Sequence, residues 1–268
     1  MISLPRGQTW YTYRTMRRFV TLCIVVAAGA LVAYVGFLST TRTTNPLDET
    51  PQSTTATTTL DGVVEFSTTT PHGYEISVRY PSTIVPSVQK FIDENILTLI
   101  DNTAQQFEMY AVRCSDPSSA KVVDEEYPCS STGTPIVPWQ LSIDYTPFVG
   151  EENTAYLFDI YEYTGGAHGS GRYEAFSYNR ETGEEIEFRD LVSATEERSF
   201  MSALDRTVRT WFVTEGYGET DINLGDTLPE YGVATFVTDD GIGVAFSAYT
   251  LGAYTLGVPV VTVPFTAY

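Results

Sequence analysis

The sequence is poor in the residues that most often carry chemistry. Among 268 residues there are two histidines, three cysteines and 15 lysines and arginines. The histidines, His72 and His168, lie far apart in the chain, and His72 falls in an early loop. A zinc hydrolase needs three or four His, Cys or carboxylate ligands converging on one ion, and this spacing offers no such set. Ser170 is close to His168 but lacks a G-x-S-x-G elbow, so a Ser-His hydrolase has no signature here. No Lys-Ser or Lys-Thr pair follows the main glycine cluster, which excludes a phosphate loop. EF-hand spacing is absent as well. No cofactor and no metal site is expected.

Positive charge is scarce in a telling way. The 34 acids give a formal net charge of −19. Arg6, Arg14, Arg17, Arg18 and Arg42 all precede the first acid, so the rest of the chain sets ten bases against every acid, or −24. A domain this acidic repels nucleic acid and anionic headgroups, and nucleic acid is not an expected partner. Two readings of the charge stand: solubility, or steering of a cationic partner. Acidic pairs such as Glu151-Glu152 and Glu184-Glu185 do not make a glycosidase signature, because neighbours on a strand face opposite ways.

One long apolar run is present. Phe19–Leu38 holds 20 residues without a charge, about 30 Å as a helix, the thickness of a bilayer core. Four arginines precede it, which places the N-terminus in the cytoplasm. The rival is a cleaved signal peptide, but that has a shorter apolar region and an A-x-A-like site, and none stands near 37–41. Cys23 inside the run reads as a small buried hydrophobe. The expected organisation is a cytoplasmic tail at 1–18, a transmembrane helix at 19–38 and a Thr-rich disordered stalk at 39–61, too poor in apolar residues to order itself. The rest, 62–268, lies outside the cytoplasm at the cell membrane. In that compartment Cys114 and Cys129 form a disulfide or are two unrelated thiols.

The outer part is rich in Tyr and Phe, with 18 and 14 respectively, which favours sheets. Strands are predicted at Val63–Phe66, Tyr74–Tyr80, Trp139–Tyr145, Ala155–Tyr163, Tyr173–Asn179, Glu184–Phe188, Val233–Val237, Ile242–Phe246 and Val260–Phe265. Val88, Phe91, Ile92, Ile96, Leu99, Ile100, Thr103 and Phe107 recur at helical spacing, so a helix is predicted near 86–109. A second helix carries Phe200, Met201, Leu204, Val208, Trp211 and Phe212 on one face, with Thr195 as cap and Gly216 as stop. Without regular βαβ alternation, the fold class is α+β, with mainly antiparallel sheets and two long helices. The expected lobes are 62–190 and 191–268.

The segment Tyr161–Gly171 stands out. Four glycines crowd around His168, and glycine tolerates positive φ and close backbone approach. Either the loop presents His168 to a ligand or substrate, or the histidine merely fixes a tight loop by hydrogen bonding. A second stretch, Phe246–Pro259, is rich in glycine and aromatics. It either presents Tyr249 and Tyr254 as binding anchors or packs as a crossover loop. The candidate binding residues are therefore Tyr163, Gly165, Gly166, His168, Tyr249 and Tyr254.

Several motifs in this order carry a family resemblance: Y-T-G-G-A-H-G at 163–169, S-Y-N-R-E-T-G-E-E-I-E-F-R-D-L at 177–191, T-D-D-G-I at 238–242 and F-S-A-Y-T-L-G-A-Y-T-L-G-V-P-V-V-T-V-P-F at 246–265. Over about residues 62–266 the chain resembles the extracytoplasmic family that includes the outer domain of the lysozyme-sensing anti-sigma factor RsiV and the N-terminal domain of the peptidoglycan deacetylase PdaC. The resemblance implies a two-lobed α+β domain of the bacterial cell envelope. It implies no catalytic residue in the G-G-A-H segment. The sigma-factor-binding part and the deacetylase domain have no counterpart here, so neither activity carries over. The leading expectation is a non-enzymatic binding or sensing module whose partner is a peptidoglycan component or an envelope protein such as a lysozyme-like enzyme. The alternatives are an envelope hydrolase using His168 and a structural partner of another membrane protein.

Overall fold

The computed structural model describes residues 56–60, 62–69, 73–115, 129, 135–136, 139–218, 222, 224–225, 227–229 and 231–268. The expected tail, the Phe19–Leu38 span and stalk residues 39–55 lie outside the described residues. No helix among those described is long and apolar enough to cross a membrane.

The fold is α+β, with two sheets of mostly antiparallel strands. The first has six strands in sequence order: β1 (Ala56–Leu60), β2 (Val63–Thr69), β3 (Glu75–Pro81), β4 (Gln140–Val149), β5 (Asn153–Tyr163) and β6 (Ser170–Asn179). Every neighbouring pair is antiparallel except β3 and β4, which run parallel from Glu75↔Gln140 to Val78↔Ile143. A parallel pair needs a long crossover, and a helical run supplies it: α1 (Pro86–Phe91), a π-helical stretch (Ile92–Leu97) and α2 (Thr98–Ser115). Pro86 suits the first position of α1, where no amide partner is needed. Val88, Ile92 and Ile96 are fully buried at a constant spacing of four, which the wider π turn keeps on one face. They pack with Phe107, Tyr110 and Ala111 on Ile76, Val78, Leu141, Ile143, Phe158 and Ile160. Trp139 fills the end of this core, stacked on Tyr110 at 5.0 Å and edge-on to Phe107 at 4.6 Å.

The second sheet has the order β7 (Val233–Val237), β8 (Gly241–Phe246), β9 (Val260–Pro264), all antiparallel. Helix α4 (Glu197–Thr214) covers it, burying Phe200, Met201, Leu204, Val208 and Phe212 against Ile242, Val244, Phe246, Val261 and Val263. Each such side chain contributes roughly 1.5–3 kcal/mol. Strand β5 joins the two sheets through its period of two. Phe158 and Ile160 face the helices, whereas Ala155 and Leu157 pack on Ala234, Phe236, Val237 and Ala245. The Val237 amide also donates to Ser177 Oγ at 3.0 Å. Cys114 and Cys129 are joined in a disulfide, Cα to Cα 5.4 Å. It ties the end of α2 to the segment before β4.

Three expectations need correction. Residues 56–60 are not stalk but strand β1, paired to β2 from Ala56↔Ser67 to Leu60↔Val63. Threonine-rich sequence is poor in core residues yet β-branched, and it suits an edge strand. Glu184–Phe188 is not a strand. It makes one bridge, Tyr178↔Glu185, and Phe188 then opens the short helix α3 (Phe188–Leu191). Alternation looked like a strand here, but the Glu187 and Asp190 side chains form a capping box that bends the chain into a helical turn. Finally, Thr195 does not cap α4. The entry turn is held by Ser193, whose amide donates to Glu196 Oε2 at 3.1 Å and whose carbonyl accepts from the amides of Glu196 and Glu197. The S-x-x-E spacing of Ser193 and Glu196 is the capping signal. Gly216, at φ 85, ends the helix as expected: its amide bonds the Val213 carbonyl, and the Tyr217 amide bonds that of Phe212.

Candidate functional site

Two loops meet at one edge of the molecule. The first joins β5 to β6. Gly165 and Gly166 take φ 112 and φ 95, values that exclude ordinary side chains and let the chain reverse in a few residues. The Tyr163 hydroxyl donates to the Gly166 carbonyl at 3.1 Å and closes the turn. Gly169 is buried, and a Cβ there would lie 2.4 Å from Cζ of Tyr161. Backbone pressed this close to a ring leaves the preceding side chain, His168, on the outside, where it is exposed.

The second loop follows β8. It is docked onto β6 by backbone and hydroxyl bonds. The Ala248 amide donates to the Gly171 carbonyl at 2.9 Å, and the Tyr173 amide donates to Ser247 Oγ at 3.2 Å. Gly232 anchors its other side, accepting from the Ser247 amide at 2.7 Å and from Thr250 Oγ1 at 3.0 Å. Tyr249 follows directly and takes φ 69, the only non-glycine residue with positive φ among the described residues. Tyrosine pays about 1–2 kcal/mol for this conformation.

These loops bring three sequence-predicted residues together. Tyr249 Oη lies 2.8 Å from His168 Nε2. The Tyr254 ring stacks on the imidazole, centroids 4.0 Å apart and planes 11° from parallel. The two tyrosine rings stand 5.6 Å apart. Hydrogen-bond chemistry assigns the tautomer. His168 Nδ1 is 2.9 Å from the Gly169 carbonyl, which can only accept, so Nδ1 carries the proton. In the neutral ring Nε2 is then the acceptor, and the phenol of Tyr249 donates to it. Tyr163, Gly165 and Gly166 do not join the aromatic group; they shape the loop that carries His168.

A phenol and an imidazole edge offer polar handles beside exposed π faces, and Tyr249 remains 53% exposed. The Nε2 partner of His168 is a phenol, and no hydrogen bond links His168 to Ser170. Among the described residues, no group of three or more His, Cys, Asp and Glu is placed to hold a metal. On the same hairpin Arg172 pairs with Glu162, which also accepts from Thr103 Oγ1 at 3.4 Å, so this ion pair ties β5 and β6 to α2. Burial raises the Glu174 carboxyl, against the opposing charge of Arg172. Sequence reasoning missed Ser247, Gly171 and Gly232, the residues that dock the second loop. Nothing local marks them, because their partners are distant in the chain.

No family model matches the chain, and no curated protein matches it. Solved structures do. One is a member of the DUF3298 family from Bacteroides fragilis NCTC 9343, at 14% identity and a TM-score of 0.48, covering 80% of this chain and 89% of that one. Another is a DUF3298 family protein from Pseudomonas aeruginosa PAO1, at 14% identity and a TM-score of 0.39, covering 82% and 93%. DUF3298 is the domain family that RsiV and the N-terminal domain of PdaC share.

Proposed function

We propose that this chain is a non-enzymatic binding or sensing domain held outside a bacterial membrane by Phe19–Leu38, and that His168, Tyr249 and Tyr254 form its recognition surface. One observation carries the reading. Tyr249 holds a strained backbone at the surface, not in the core, and the strain serves to seat its phenol on His168. Strain kept at an exposed aromatic cluster points to a ligand. The ligand is a cationic protein of the lysozyme-like kind. The charge of −24 beyond residue 42 favours such a partner, because opposite charge speeds encounter and suppresses acidic competitors.

The test is titration of the full-length chain, in neutral detergent micelles, with lysozyme at low and moderate salt. Saturable binding in the micromolar range or tighter, weakening as salt rises, supports the reading. No binding at micromolar concentration removes that ligand. Binding to peptidoglycan instead would keep the recognition surface and reject the cationic protein. A hydrolytic activity that disappears in a folded His168→Ala variant would overturn the non-enzymatic reading.

A further inference from the structure

The second sheet differs in charge from the rest of the domain. Strands β7, β8 and β9 hold no charged side chain, and none occurs anywhere from Gly241 to Tyr268. The whole net charge of −24 beyond residue 42 therefore lies before Gly241. The edges of β6 and β7 are occupied. On β6, the Ser177 carbonyl accepts from the Ile186 amide at 2.8 Å and the Gly171 carbonyl from the Ala248 amide at 2.9 Å. On β7, the Val237 amide is taken by Ser177 Oγ.

The outer edge of β9 has no such cover. The Phe246 amide donates to the Pro259 carbonyl at 2.9 Å, and the Phe265 amide to the Asp240 carbonyl at 3.1 Å. Bonded and non-bonded pairs alternate along an antiparallel ladder, so these two bonds fix the phase between them. Val261 and Val263 bond to Val244 and Ile242 of β8. The N–H and C=O groups of Val260 and Thr262 point the other way, and among the described residues no hydrogen bond meets them. Thr262 and Pro264 are exposed. At the two ends of the strand, Val258 and Phe265 are exposed as well, at 36% and 42%. Edge strands are commonly blunted by charge, and this one carries none.

We propose that the outer edge of β9 is a self-association site: a second copy of this chain adds its own β9 antiparallel, and the two second sheets become one continuous sheet. Setting Val260 of one copy opposite Thr262 of the other gives every outward N–H and C=O of these residues a partner, about a two-fold axis at Val261. Pro264 has no N–H and ends the ladder. The same register brings Phe265 of each copy toward Val258 of the other. Charge selects the occupant. Two copies repel through their carboxylates wherever these come within a screening length of about 8 Å, and the charge-free edge lets them meet without facing acids. A cationic segment would find no carboxylate on β9 to pair with. Asp239 and Asp240 flank the Pro264 end, and the antiparallel arrangement keeps the two copies' aspartates at opposite ends. The contact does not depend on the His168 cluster.

The experiment measures the mass of the full-length chain in neutral detergent by sedimentation equilibrium over a range of concentrations. The comparison proteins are Thr262→Pro, Thr262→Lys and Ser77→Lys, each shown to be folded by circular dichroism. Thr262→Pro removes an outward N–H and spares the bonds to β8, whereas Thr262→Lys places a charge on the edge. Ser77 is exposed on β3, in the other sheet, and reports the effect of added charge alone. The expected result is a monomer–dimer equilibrium that weakens about tenfold or more in both Thr262 variants and not in Ser77→Lys. A positive readout accompanies it. In the proposed register the two copies' residues 262 are diagonal neighbours on one face, within about 8 Å. A short thiol cross-linker should therefore join Thr262→Cys into a covalent dimer beyond the wild-type background, and should not do so for Ser77→Cys. A wild-type chain that stays monomeric at every concentration would overturn the proposal. So would a dimer unchanged in the folded Thr262 variants, or equal cross-linking of the two cysteine variants.

Discussion

The hydroxyl of Tyr249 sits 2.8 Å from Nε2 of His168, joining two loops that are 81 residues apart in sequence. The bond depends on a backbone angle that tyrosine seldom adopts, φ 69. Tyr249→Gly and Tyr249→Ala both remove the ring and the bond; they differ in how they tolerate that angle. The glycine variant should therefore be the more stable of the two by about 1 kcal/mol. Urea unfolding of the pair checks this. Equal stability, or a more stable alanine variant, would show that the angle carries no strain.

Gly241, in the T-D-D-G-I turn, gives a second prediction. It lies in β8, and a Cβ there would fall 2.1 Å from the Val263 carbonyl oxygen and 2.8 Å from Pro264 Cα. Both obstacles are backbone of β9, so neither can swing aside. Gly241→Ala should cost about 3 kcal/mol, at the upper end for overpacking, and should loosen the β8–β9 ladder. A denaturation midpoint unchanged from wild type would contradict this.

The Cys114–Cys129 bridge spans a sequence separation of 15. A loop of that size is worth about 3 kcal/mol in the chain-entropy account. The double substitution Cys114→Ser with Cys129→Ser should lower the unfolding temperature, and reductant should lower that of the wild type similarly while leaving the variant unmoved. A variant that still responded to reductant would reveal another source of redox sensitivity.

Alkaline pH offers a fourth prediction. Burial, and then the negative charge of Glu108, push the Tyr74 phenol up to about 12. An unfolded tyrosine titrates near 10, so between these values the folded state holds a proton that the unfolded state releases. The resulting stabilisation is complete below about pH 10 and is lost as pH rises to about 12, a difference of roughly 2–3 kcal/mol. Unfolding free energies of wild type and Tyr74→Phe should diverge in slope over that window. Parallel curves would show that Tyr74 titrates alike in both states.

Much of the fold was legible from the chain because burial follows local periodicity. The apolar face of α4 and the alternation along β2, β3 and β5 could be read directly. The residues that misled were those whose state depends on a partner elsewhere. Thr57, Thr58 and Thr59 look like linker until β2 offers them an edge. Glu184–Phe188 alternates like a strand but finds only one bridge before the capping box takes over. The parallel pairing of β3 with β4 depends on the crossover and not on either strand's own sequence. The candidate site shows the same division. His168, Tyr249 and Tyr254 each stood out locally through glycine and aromatic neighbours, yet their meeting is set by Ser247 and Ala248 docking on β6.

The central claim is that the aromatic cluster is the recognition surface of the domain. It is tested most directly by lysozyme titration of a full-length Tyr249→Ser/Tyr254→Ser variant beside the wild type, both shown to be folded by circular dichroism. Loss of the two anchors should weaken binding by at least about 2 kcal/mol, or some thirtyfold. Undiminished affinity in the folded double variant would place recognition elsewhere on the molecule and contradict the account.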